Sequence, residues 1–204
     1  MKIRIILGLM LLLAQSGSIF AVEKNQTTGP VRLERATFAG GCFWCMEEAL
    51  DQLEGIITTT SGYIGGQKGK PTYEEVSAGG TGHAEAVEIT YDAAKVDYAK
   101  ILELFWRNID PTTPNKQFCD VGSQYRSAIF YHNETQKRLA EDSKKMVEKT
   151  KKFSGPVVTE IVPAAEFYSA EEYHQNFYQK NPIRYKFYKY SCGRAQRLKE
   201  LWGQ

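Results

Sequence analysis

From residue 33 onward the apolar positions fall into short runs, each cut off by Gly, Pro or Asn. Residues 33–39 predict a strand that runs into Gly40-Gly41, and 42–50 have the composition of a helix bounded by Gly55. Residues 56–64 are rich in β-branched side chains and stop at Gly65-Gly66, a second strand. Between 65 and 82 glycines and Pro71 dominate, which predicts loop. Residues 83–91 alternate, with Ala84 and Ala86 on one face and Glu85, Val87 and Ile89 on the other. Since neither face is polar throughout, this strand is expected to be covered on both sides.

Residues 97–108 place Ile101, Leu104 and Phe105 on one side of a helix, and 110–122, with Pro111 and Pro114, read as an irregular loop. A strand at 127–132 leads to Asn133, the expected cap of a helix that reaches about 152 with a charged outer side. A strand at 157–162 stops at Pro163, a short helix covers 171–180, and a coil-rich tail begins near 182. Strand, helix, strand, strand, helix, strand is the order of a ferredoxin-like split βαβ unit. The expectation is an α+β two-layer sandwich with a C-terminal helix and that tail.

The chain before residue 33 has a different character. Lys2 and Arg4 precede an almost unbroken apolar run from Ile5 to Ala14, followed by small and polar residues. This is the anatomy of a secretory signal peptide over 1–21, too short in its apolar part for a comfortable span. Polar residues 22–31 read as a linker, and 32–204 as one domain, ample at this length for a hydrophobic core. Of 26 basic and 24 acidic residues, only Lys2 and Arg4 belong to the leader, so the mature chain balances at 24 of each. A near-neutral protein has no bulk field for nucleic acid or an anionic membrane, so neither partner and no stable membrane anchor is expected. An exported, periplasmic or secreted monomer is.

Export changes the meaning of Cys42, Cys45, Cys119 and Cys192, which are too few to scaffold a chain of 204 residues. Cys42 stands where a strand hands over to a helix. Unpaired N–H groups and the helix dipole there favour an anion, so its thiol is expected to be biased toward thiolate. Phe43 and Trp44 follow at once and give the sulfur an apolar wall.

The run Gly40-Gly41-Cys42-Phe43-Trp44-Cys45-Met46-Glu47 resembles the signature of the A-type peptide methionine sulfoxide reductases. Further blocks follow in the family's order: Gly62-Tyr63-Ile64-Gly65-Gly66, Pro71-Thr72-Tyr73-Glu74-Glu75-Val76, Thr81-Gly82-His83-Ala84-Glu85 and Asp120-Val121-Gly122-Ser123-Gln124-Tyr125-Arg126-Ser127. The resemblance implies that Cys42 attacks the sulfur of a methionine S-sulfoxide, free or in a protein, and is left as a sulfenic acid that a second thiol converts to a disulfide. It implies that Glu85 supplies a proton, that Tyr73 and Tyr125 hydrogen-bond the sulfoxide oxygen, and that Asp120 belongs to the same polar network. Phe43 and Trp44 would hold the substrate's methyl group. No metal or bound cofactor is implied; electrons come from thiols and then from an external thioredoxin-like dithiol.

As the resolving thiol Cys192 ranks first, beside Gly193 in a polar tail, with Cys119 and Cys45 behind it. Two other readings compete. Cys42-x-x-Cys45 also suits a thioredoxin-like dithiol oxidoreductase, which would leave the Tyr and Glu blocks unexplained. A zinc module lacks a second short-spaced ligand couple. His83, His132 and His174 show no partner pattern and are expected to be structural.

Overall fold

The structure, a computed structural model, describes residues 30–203. The expected leader 1–21 and nearly all of the linker 22–31 lie outside the described residues. The first half contains β1 (Leu33–Gly40), α1 (Phe43–Asp51), β2 (Ile56–Ile64), α2 (Tyr73–Ser77), β3 (Ala84–Asp92) and α3 (Tyr98–Arg107). After them come β4 (Lys116–Gln117), β5 (Asp120–Val121), a 3-10 turn at Ser123–Tyr125, β6 (Ser127–Tyr131) and α4 (Glu134–Thr150). The chain closes with β7 (Glu160–Pro163), β8 (Tyr168–Ser169), α5 (Phe177–Lys180), α6 (Pro182–Ser191) and α7 (Arg194–Trp202).

The main sheet has the order β7-β6-β1-β3-β2-β8. Its centre, β6-β1-β3-β2, is antiparallel throughout, so β3 splits the β1-α1-β2 unit as the ferredoxin-like reading requires. Beyond that unit, α4 carries the chain across to β7, parallel to β6, while β8 adds antiparallel to β2. Both faces of β3 are covered. Val87 and Ile89 join Phe38, Leu50 and Phe105 on the helix side. On the opposite side Ala84 and Ala86 lie with Ala39, Ala128 and Phe130 under Val162 and Phe167. Large side chains therefore load the helix face, where each fully buried one contributes roughly 1.5–3 kcal/mol. Alanines on the other face let an irregular segment lie close to the sheet.

Two stretches read as loop carry structure. Within 65–82, the Thr72 hydroxyl accepts from the Glu75 N–H at 3.4 Å and the Glu75 carboxylate accepts from the Thr72 N–H at 3.0 Å. This capping box starts α2 and aims Tyr73. Thr72→Ala is expected to lower unfolding stability by about 1 kcal/mol in a denaturant titration, with Thr72→Ser close to wild type. Within 110–122, β4 and β5 form a two-stranded ribbon.

The C-terminal region also departs from the reading. Asn176 takes a left-handed conformation (φ 53°), so only Phe177–Lys180 of the expected helix 171–180 is helical. The tail after 182 is helical rather than coil, broken once at Gly193 (φ 68°). Burial explains this, because α7 is tied to the body. Arg194 is buried over the Phe118 ring at 4.4 Å and donates to the Asn108 carbonyl. The Trp202 indole donates to the Ile109 carbonyl at 3.1 Å, and Arg197 pairs with Asp110 at 2.8 Å. No helix of the described residues is long and apolar enough to cross a membrane.

Candidate active site

The site begins where β1 ends. Gly41 takes a positive φ of 80°, and a Cβ there would stand 2.4 Å from the Gln117 Cβ, so only glycine passes this turn. The next residue, Cys42, is the N-cap of α1, and its carbonyl accepts from the Cys45 and Met46 N–H groups. The free first-turn N–H of Phe43 donates to Glu85 Oε2 at 3.1 Å, which brings the carboxyl from the centre of β3 to the root of the helix. Tyr73 leads α2 with its N–H on Glu171 Oε1 at 2.8 Å. Asp120 comes from β5 and Tyr125 from the turn after it.

All seven residues expected to do chemistry or to hold the methyl group line one cavity of about 60 Å³, where Tyr188 of α6 joins them. A larger hollow of about 390 Å³ near Tyr98 and His132 contains no cysteine. Glu85 is 2% exposed, and burial pushes its carboxyl up to about 8 although the Phe43 N–H pulls the other way. It is therefore a neutral acid at pH 7. Burial likewise raises Tyr73 and Tyr125, which remain O–H donors, and raises Asp120.

The two cysteines of α1 are both buried and free. Here the sequence expectation needs a correction. Burial, then the hydrogen bond with Cys45, pushes the Cys42 thiol well above its ordinary value. The same hydrogen bond brings Cys45 down to about 6, aided by Arg194 and Tyr185. The two sulfurs therefore titrate as a pair, and burial opposes a negative charge on Cys42. The helix terminus favours the anion, but Cys42 is only 6% exposed and burial is the larger influence on its thiol.

Cys119 and Cys192, the other two resolving thiols considered, are joined to each other in a disulfide. They therefore supply no second ligand couple to Cys42 and Cys45.

The apolar wall depends on residues that the sequence did not single out. The Trp44 ring stacks on Phe177 at 3.7 Å and 7°, and its indole N–H donates to His174 Nδ1 at 3.1 Å. His174 is buried against Phe43 and Tyr73, and that burial lowers its pKa, so it stays neutral and can accept. It orients the wall rather than serving only as packing. Glu171 fastens the same segment through the Tyr63 hydroxyl at 2.8 Å. Nothing in local spacing marks these residues, since they arrive from about 130 positions downstream. His83 and His132 are structural as expected, binding Gly66 and Lys68 in one case and Thr37 in the other.

Residues 34–204 match the family model "Peptide methionine sulfoxide reductase". The chain is 54% identical over 170 residues to the peptide methionine sulfoxide reductase MsrA of Bacillus subtilis, covering 83% of this chain and 96% of that one. With the MsrA of Halalkalibacterium halodurans it shares 53% over 173 residues, covering 85% and 98%. Among solved structures it resembles reduced Mxr1 from Saccharomyces cerevisiae (32% identity, TM-score 0.70, covering 76% and 88%). It also resembles methionine sulfoxide reductase A of Corynebacterium diphtheriae (32%, TM-score 0.68, covering 76% and 78%).

Proposed function

The chain belongs to the peptide methionine sulfoxide reductase family, and from that premise we propose that it reduces the S epimer of methionine sulfoxide, free or within proteins, with Cys42 as nucleophile. It is an oxidoreductase of the MsrA type that works through a cysteine disulfide. The observation that carries the assignment of roles is the meeting of Cys42 with a neutral Glu85 carboxyl in one small cavity.

The substrate methyl group lies against Phe43 and Trp44, and its oxygen faces Glu85, Tyr73 and Tyr125. Cys42 passes its proton to the neighbouring Cys45 thiolate and attacks the substrate sulfur. Glu85 protonates the oxygen as the S–O bond breaks, since oxide is a very poor leaving group. The attack joins Cys42 to the substrate sulfur; the released hydroxide then bonds to the Cys42 sulfur as that S–S bond breaks, so methionine departs with the electron pair and Cys42 holds the oxygen as a sulfenic acid. The Cys45 thiol then attacks the Cys42 sulfur; an S–S bond forms and the oxygen leaves as water.

Cys45 replaces Cys192 at the head of the ranking because it is a free thiol one helical turn from Cys42, its N–H on the Cys42 carbonyl at 3.1 Å, while Cys192 is engaged with Cys119. Peptide mass mapping after one turnover without reductant is expected to find a Cys42–Cys45 link. A Cys42–Cys192 link would restore the first ranking.

A dithiol protein of the thioredoxin type is the reductant that this chemistry calls for, and no prosthetic group takes part in the steps above. The basic start and apolar run before residue 22 support export; sequencing of the mature protein from Met1 would refute it. Reduction of resolved S and R sulfoxides with a chemical dithiol tests the activity. The S epimer is expected to turn over with the intact protein and neither epimer with Cys42→Ser. Turnover of disulfides but not of sulfoxides would instead favour the thioredoxin-like reading.

A further inference from the structure

Tyr188 has no part in the roles assigned so far, yet it lines the cavity. Its hydroxyl donates to Asp120 Oδ2 at 2.5 Å, and both residues share with Cys42 the lining of one cavity of about 60 Å³. Its ring meets Trp44 edge-on, with centroids 5.7 Å apart at 83°. One phenol carries one hydrogen, so it serves one acceptor at a time. While Cys42 is a thiol, the hydrogen rests on Asp120 and the S–H can point at the phenol oxygen. Once Cys42 ionises, the hydrogen can turn to the sulfur.

The groups facing Cys42 are Cys45 on its own helix, Glu85 from β3, Tyr73 from α2, Asp120 and Tyr125 from the β5 region, and Tyr188 from α6. Ionised Cys45 or Glu85 opposes a second negative charge on Cys42, whereas the Tyr188 hydroxyl favours it.

What holds Tyr188 there is unusual. On α6 Ile183, Phe187 and Tyr190 are 86%, 74% and 88% exposed, so the helix grips the body through one face, where Tyr185 is buried with Cys45 and Phe177 and Tyr188 packs beside them. Glu48 accepts from Tyr185 at 2.6 Å and also pairs with Lys189. The end of the helix is fixed covalently: its C-cap, Cys192, is bonded to Cys119, the residue next to Asp120. One disulfide thus ties the helix that brings the phenol to the ribbon that brings its carboxylate partner. Cys119 is exposed and Cys192 half-buried, so this bond faces solvent while Cys42 does not.

We propose that Tyr188 holds the Cys42 sulfur in its reactive form and that the Cys119–Cys192 disulfide is the clasp keeping Tyr188 in place, so that the redox state of a solvent-facing pair sets the reactivity of a buried nucleophile. This rests on Cys42 being the nucleophile. An external dithiol opens the clasp by becoming a disulfide itself, leaving Cys119 and Cys192 as thiols.

The test is the pH dependence of iodoacetamide labelling at Cys42, located by peptide mass mapping in the full chain. The midpoint is the readout rather than the plateau rate, because access alone would change the latter. Tyr188→Phe is expected to raise the midpoint by about one pH unit, a tenfold fall in thiolate at a fixed lower pH. Cys119→Ser/Cys192→Ser should raise it similarly, and the triple variant no further than Tyr188→Phe alone.

An unchanged midpoint in Tyr188→Phe overturns the role of the phenol. A shift there with none in the double-serine variant, or additive shifts in the triple, overturns the clasp. Wild-type protein with Cys119–Cys192 reduced by a phosphine gives the same comparison without substitution. Since no sulfoxide is used, loss of this proposal and loss of the reductase reading are distinguishable results.

Discussion

Glu85→Gln is expected to lower kcat for sulfoxide reduction by about 10²–10⁴-fold while the circular dichroism and melting profile stay close to wild type. Glutamine keeps the volume and can still accept from the Phe43 N–H, but it has no acidic proton to give the sulfoxide oxygen. The pH profile carries the sign of the effect. The Glu85 carboxyl titrates at about 8 in the folded chain against an ordinary 4.5, so wild-type activity should fall as pH rises through about 8. The glutamine variant should lose that limb. The same shift makes the folded state hold a proton that the unfolded chain has released. Wild-type stability relative to Glu85→Gln should therefore be fully present below about 4.5 and decline as pH rises toward and through 8. Near-normal turnover, or an unmoved alkaline limb in the variant, would remove the acid role.

Gly41→Ala should produce the largest loss of stability among simple substitutions near the site. An L-residue at φ 80° costs about 1–2 kcal/mol. The new Cβ would also press on Gln117, which is fully buried and cannot retreat freely. Its amide accepts from the Asp110 N–H at 2.8 Å and donates to the Asp110 carbonyl at 2.6 Å. Overpacking of that kind adds roughly 1–3 kcal/mol. Together they predict a loss of about 2–5 kcal/mol, or roughly 5–20 °C in Tm for a domain of this size. Gly79→Ala is the control, having the same φ of 80° with nothing within 4 Å of the added atom. It should show the backbone cost alone, and equal effects at the two positions would refute the steric argument.

The parts of the molecule legible in its sequence are those whose physics is local. Residues 56–64 announce a strand through β-branching and a double glycine, and β2 occupies Ile56–Ile64. Asp97 and Asn133 cap the helices expected of them, each accepting from an N–H three residues on. The alternation of 83–91 already places Glu85 on the same face as Val87 and Ile89, the face that α1 covers. The signals that were missed have a different origin. Thr72 and Glu75 form a legible capping box hidden among glycines. The α6 segment mixes aromatic and basic residues with little periodicity, and neighbours rather than its own pattern fix its position. The partners of Trp44 could not be read locally, because His174 and Phe177 become its neighbours only after the chain has closed the sheet. For Cys42 the helix position is visible in sequence, but the burial that opposes its ionisation is not.

The small cavity over Cys42 has a bearing on which methionines this enzyme repairs. At about 60 Å³ the chamber is small beside the several hundred Å³ of pockets that enclose whole ligands, so it suits the end of a side chain. Such a keyhole examines the oxidised group itself and leaves the flanking peptide unread. Choice among damaged proteins then falls to protrusion: a residue on a frayed end or a loosened surface loop can be inserted, whereas one locked in an intact interior must wait until its host comes apart.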